Sequence, residues 1–167
     1  MDVSRFMNAL KILSIGLFIS ILILGYNVNT NQNLESKQTR YFLIGNPTNL
    51  NADGTYILPL VLQEDVNAAM EILKQDLKYR EKIIVAKIEK SGLAGGYLNK
   101  DLSDGKKRMW SWHITKFIAF ADMTIEILDG SAIGVEGDVE GWIRQTNGTI
   151  GFWNYRVIRE VQISELQ

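Results

Sequence analysis

The sequence predicts an α+β domain, an antiparallel sheet with one main helix packed on it, behind an N-terminal transmembrane or signal helix. Three observations carry this reading. Residues 12–24 (ILSIGLFISILIL) form an unbroken apolar run near the start of the chain. Beyond residue 54, most segments are short, β-rich and separated by turn residues. Only residues 64–77 clearly repeat apolar side chains at helical spacing.

The apolar run sets location. Arg5 and Lys11 precede it, as the positive region of an export signal does. A cleavage site is poorly formed, because Ile23 stands where a small residue is wanted before a cut after Gly25. An uncleaved anchor needs about 20 residues. Residues 6–26 supply them if Lys11 snorkels to the headgroups and Tyr26 sits at the far interface. Residues 1–26 are thus a signal anchor or a cleaved signal peptide, and the remainder lies outside the cytoplasm in both cases. It is membrane-anchored and periplasmic or extracellular, or secreted. The chain has no cysteine, which excludes lipoprotein processing. Residues 27–40 (NVNTNQNLESKQTR) lack apolar periodicity and read as a flexible spacer. Residues 41–167 make a single exported domain, long enough to bury a core.

Within that domain, residues 55–62 (TYILPLVL) read as a strand, and Pro59 assigns it to a sheet edge or a bulge. The helix follows, with Val66, Ala69, Met70, Leu73 and Leu77 on one face. Glu64 and Asp65 at its start and Lys74 and Lys78 at its end suit the helix dipole. Residues 82–90 (KIIVAKIEK) are a second strand, and the glycine-bearing residues 91–108 a long loop. Residues 110–115 (WSWHIT) alternate, with Trp110 and Trp112 on one face and Ser111 and His113 on the other. Residues 117–128 (FIAFADMTIEIL) are extended to the Asp129-Gly130 turn. Ser131 caps a short helix running to Glu140. Asn147-Gly148 signals a hairpin, and residues 150–161 form the last strand.

Charge excludes one class of partner. The net charge of −1 argues against general nucleic-acid binding. The distribution is uneven: residues 74–116 carry eleven Lys/Arg against five Asp/Glu, and residues 117–143 carry six acids and no base. Two such segments neutralise one another as neighbours, or the acidic one serves a cation or a basic partner.

The candidate chemistry gathers at the only histidine. His113, Asp122 and Glu126 offer one nitrogen and two oxygens, a set for zinc or manganese. Asp129 adds an oxygen for calcium, without EF-hand spacing. Ser111 and His113, two apart on one strand, are poorly placed for a catalytic triad. Asp122, Thr124 and Glu126 share a strand face, where a buried carboxylate needs a partner. Arg156 or Arg159 supplies one, making a structural ion pair with Glu126. Trp110, Trp112 and His113, beside the 91–109 loop, form the expected ligand-binding face.

At W-S-W-H (residues 110–113), A-D-M-T-I-E-I-L-D-G (121–130), V-E (135–136) and F-W-N-Y-R-V-I-R-E (152–160), the chain resembles a family of small exported proteins. The family's pattern runs W-S-[WY]-H, F-x-[DE]-x-[AT]-I-E-[IV]-C-D, V-E and C-P-W-S-x-[KR]-[LV]-[IV]-x-E. Asn99 and the helix also match. The resemblance covers residues 55–161 and implies fold and export rather than a reaction. Both family cysteines are absent, Leu128 and Gly151 standing in their places, and Phe152 replaces the proline. Their joint loss implies a disulfide in the relatives.

The favoured reading is a non-catalytic envelope or extracellular binding module for a protein or carbohydrate ligand, touching the membrane through residues 6–26. The alternatives are a metal-dependent hydrolase using His113, Asp122 and Glu126, and an inhibitor presenting residues 92–105 to an exported protease.

Overall fold

Residue 40, assigned to the spacer, opens the first strand instead. In the computed structural model, which describes residues 38–91, 97–103, 108–122 and 130–167, Arg40–Gly45 forms β1. This strand is central in a three-stranded antiparallel sheet, flanked by β2 (Thr55–Leu60) and β8 (Arg156–Val161). Its apolar run is buried on both faces. Phe42 and Ile44 enter the main core, while Tyr41 and Leu43 join a second cluster with Ile57, Val161 and Leu166. Arg40 closes one end with a bidentate pair to Glu160, at 2.6 and 2.5 Å. β2 is the edge strand that Pro59 requires.

A short helix, α1 (Leu50–Asp53), joins β1 to β2, and α2 (Gln63–Lys74) follows. Val66, Ala69 and Ile72 are the buried face of α2, with Met70 and Leu73 packed beside them. The helix ends before Leu77, because Gln75 is extended. Leu77–Tyr79 forms a separate 3₁₀ turn, where Leu77 is exposed.

A second sheet has the order β6-β3-β7. β3 (Ile83–Lys90) pairs antiparallel with β6 (Trp112–Ala121) and with β7 (Thr149–Ile150). The fold is therefore mixed α/β with antiparallel sheets and few helices, with two three-stranded sheets in place of the single one expected. The segments predicted as two strands around Lys116 are one strand. Register shifts against β3 reset the alternation there, so the sequence pattern breaks where the strand does not. The 91–108 loop contains a two-residue ladder, β4 (Lys100–Asp101) against β5 (Arg108–Met109).

Ser131 caps α3 (Ala132–Gly137), its Oγ accepting from the Gly134 N–H at 3.1 Å. The predicted helix then breaks in two. Asp138 caps α4 (Val139–Thr146) by accepting from the Gly141 N–H at 2.8 Å. Asn147-Gly148 is the C-cap of α4 rather than a hairpin, with φ of 52° and 67°. The two motifs demand the same left-handed backbone, so Asn-Gly alone does not separate them.

The last predicted strand is interrupted as well. Residues 151–155 leave β7 and cross to the other sheet, driving Phe152 and Tyr155 into the core with rings 4.8 Å apart. A terminal turn of helix, α5 (Ile163–Leu166), buries Leu166. The main core draws on both sheets, α2, α3 and α4. Among the described residues, no helix is long and apolar enough to cross a membrane, and residues 12–24 lie outside them.

Candidate functional site

The W-S-W-H segment is where the sequence concentrates its chemistry, and the strand period splits it as expected. Trp110 and Trp112 point inward and are 2% and 0% exposed. Their rings stack at 6.0 Å, and the Trp110 Nε1–H donates to the Thr55 carbonyl at 2.7 Å. Both indoles are buried, so of the three residues expected at a ligand-binding face only His113 lies on the outer one. On the outer face, His113 Nδ1 lies 3.0 Å from Ser91 Oγ. The Ser111 N–H and hydroxyl both donate to Glu136 Oε2, at 2.8 and 3.1 Å.

His113 and Asp122, the two proposed metal ligands within the described residues, do not converge. His113 is the second residue of β6 and Asp122 follows the strand's end, nine residues on and so roughly 30 Å apart in an extended chain. One ion cannot take both. Asp122 is paired with Lys82 at the surface. Glu126, Leu128 and Asp129 lie outside the described residues, and among the described ones no group of three or more His, Cys, Asp or Glu could hold a metal.

Arg156 and Arg159, the partners expected for Glu126, make other contacts among the described residues, and Glu126 itself lies outside them. Arg159 grips Glu165 at 2.9 and 2.7 Å. Arg156 Nη1 donates to the carbonyls of Trp153 and Tyr155, at 2.5 and 2.9 Å. The uneven charge is resolved between neighbours in two places, by Lys82 with Asp122 and by Lys90 with Glu140.

A buried polar network, unforeseen in the sequence, braces the tryptophans. Asp101 is fully buried, and its Oδ1 accepts from the Thr55 N–H, the Thr55 hydroxyl and the Ser103 N–H, at 2.9, 2.8 and 3.0 Å. Arg108 Nη1 stands 3.4 Å from its other oxygen, with the guanidinium 5.3 Å from the Trp110 ring. Asn99 Nδ2 donates to the Trp110 carbonyl at 2.8 Å, and the Trp110 N–H returns a bond to the Asn99 carbonyl. The network fixes β4 against β5 and both against β2.

An open cleft lies elsewhere in the domain. It measures about 450 Å³ and is bounded by Asn46, Pro47 and Thr48 after β1. Its other walls are Leu77, Lys78, Arg80 and Glu81 ahead of β3, and Asn154 and Arg156 at the start of β8. Each wall has a structural cause. The Asn46 side chain accepts from the Thr48 N–H and hydroxyl, and donates to Asp53 at 2.5 Å. Arg80 donates to the carbonyls of Leu73, Gln75, Val157 and Ile158, tying the end of α2 to β8. It thereby satisfies helix-end carbonyls that lack partners of their own. Burial pulls the Arg80 and Arg156 guanidinium pKa values below their usual position. Three distant stretches of chain meet here, and only the last, within F-W-N-Y-R-V-I-R-E, belongs to a motif. The other signal in the sequence is the Asn-Pro turn beside a strand end.

This arrangement can bind but holds no assembled nucleophile, base and orienter among the described residues. Among the described residues, the Ser91–His113 pair has no third member in hydrogen-bond contact with the histidine. Neither curated proteins nor solved structures give a match to the chain. One family model does match, over residues 38–164. That span takes in all the strands described above and every helix but the end of α5, and the chain belongs to the family this model describes, that of the BP-74 N-terminal domain.

Proposed function

We propose that the domain is a non-catalytic binding module, carried outside the cytoplasm behind its N-terminal apolar segment, with a small polar ligand in the cleft between residues 46–48, 77–81 and 154–156. The observation that carries this reading is the cleft itself. At about 450 Å³ it falls in the range that holds small ligands. Its walls combine a few polar groups with side chains already fixed by the fold, which reduces the ordering cost of binding. Export is supported by the run at residues 12–24 behind Arg5 and Lys11.

The test is a thermal-shift screen of the full chain in mild detergent, using neutral sugars, amino acids and small organic acids. A specific ligand at about 100 times its Kd adds roughly 2.7 kcal/mol of stability. The reading expects at least one saturable shift that Asn154→Ala abolishes. No saturable shift, or shifts that Asn154→Ala leaves intact, would sink it. Release of a reaction product from any compound would replace binding with catalysis.

A further inference from the structure

The cleft is unequal in charge. Lys78, Arg80 and Arg156 line it, against the single carboxylate of Glu81. Among the described residues, none of these three cations forms an ion pair. They differ in what they have left to give. Arg80 spends its Nε, Nη1 and Nη2 on four backbone carbonyls. Lys78 leans over the Tyr79 ring, with Nζ 4.6 Å from the centroid. Among the described residues, Arg156 spends only Nη1, on the Trp153 and Tyr155 carbonyls.

We infer that the ligand of this cleft carries an oxyanion, a carboxylate or a phosphate, gripped by the free Nε–Nη2 edge of Arg156 with Lys78 as a second positive charge. The inference rests on the cleft being the binding site. Two carbonyls already fix the guanidinium plane, so little side-chain entropy remains to be lost when an anion docks. The Nε–Nη2 edge is a fork whose two parallel N–H groups match the two oxygens of a carboxylate or phosphate. Arg156 is partly exposed and lines the cleft. Asn154 and Thr48 also line the cleft and add neutral polar groups for the rest of the molecule.

The test titrates the full chain in mild detergent with sodium phosphate and, separately, sodium acetate, each against sodium chloride at matched ionic strength. Binding is read from tyrosine and tryptophan fluorescence and from the melting temperature. Saturable binding of phosphate or acetate is expected, and the arm that binds names the anion. Arg156→Gln should weaken it by about tenfold or more, and Arg156→Lys, which keeps charge and loses the fork, by several-fold. If Arg156→Gln does not fold, Lys78→Gln carries the test and should weaken binding by a smaller factor. Phosphate and acetate behaving as chloride does, or affinity unchanged in these variants, would overturn the inference. A neutral sugar that occupies the cleft while both anions fail would overturn the anion and leave the binding module standing. Failure of every probe, charged and neutral, would remove both.

Discussion

Glu136 holds Ser111 twice, accepting from its backbone N–H and from its hydroxyl with a single carboxylate oxygen. Ser111 lies between two buried tryptophans, and Glu136 lies on α3, so the contact ties that helix to the start of β6. It also joins two of the separated motifs in the sequence, W-S-W-H and V-E. Glu136→Ala should destabilise the domain by about 1–2 kcal/mol, since charge-assisted bonds at an exposed site are lost. Ser111→Ala removes only one of the two and should cost about half as much. Urea midpoints of the two variants and the double variant measure this. An additive double variant would show that the pair is not coupled.

Asp101 should be far less tolerant. Asp101→Ala strands two donors of the fully buried Thr55 and the Ser103 N–H, and leaves the partly exposed Arg108 guanidinium without its carboxylate. Removing one partner of a buried charge network costs about 3–5 kcal/mol. Asp101→Asn keeps one acceptor and should cost less. Equal melting temperatures for wild type and Asp101→Ala would mean that the network is not structural.

Tyr155 links three parts of the fold through one hydroxyl. It accepts from the Ala132 N–H at 2.8 Å and donates to the Asp53 carbonyl at 2.6 Å. Burial is the main cause of a phenol pKa raised above its usual value. Tyr155→Phe leaves a buried N–H and a carbonyl unpaired and should cost about 1–3 kcal/mol, read from denaturant unfolding. A change below a few tenths of a kcal/mol would show that the two groups find other partners.

Acid should loosen the C-terminal turn first at Glu165. Its side-chain bond to Arg159, and then its bond to the Gln162 N–H, lower the carboxyl pKa from the ordinary 4.5. A depressed folded pKa stabilises the folded state above the unfolded value, and that stability disappears as pH falls through the folded one. The pair is partly exposed, so its worth is about 0.5 kcal/mol or less. Glu165→Gln should lower the melting temperature slightly at neutral pH and match wild type in acid below the carboxylate range. A difference that persists or grows in acid would contradict this sign.

The elements that were legible in the sequence are those with one uninterrupted period. The face of α2 at Val66 and Ala69, the edge position of Pro59, the cap at Ser131 and the inward tryptophans all follow from local spacing. Failures came where long-range pairing decides. The register shifts around Lys87 hide the continuity of β6, and Asn147-Gly148 serves a helix end in place of a hairpin. The continuity of β6 is what holds His113 and Asp122 apart, so the sequence, read as two segments, left them free to converge. The cleft was not legible as a site. Asn46, Lys78 and Arg156 are far apart in the chain, and only the packing of β1, the 3₁₀ turn and β8 brings them together.

The most direct test of the binding-module account is an amide chemical-shift map of the full chain, recorded with each compound that stabilises it. The account predicts that perturbations cluster at Thr48, Lys78, Asn154 and Arg156, with every compound unchanged after prolonged incubation. Perturbations gathered at Ser91, Ser111 and His113 instead, or conversion of a compound to product, would contradict it.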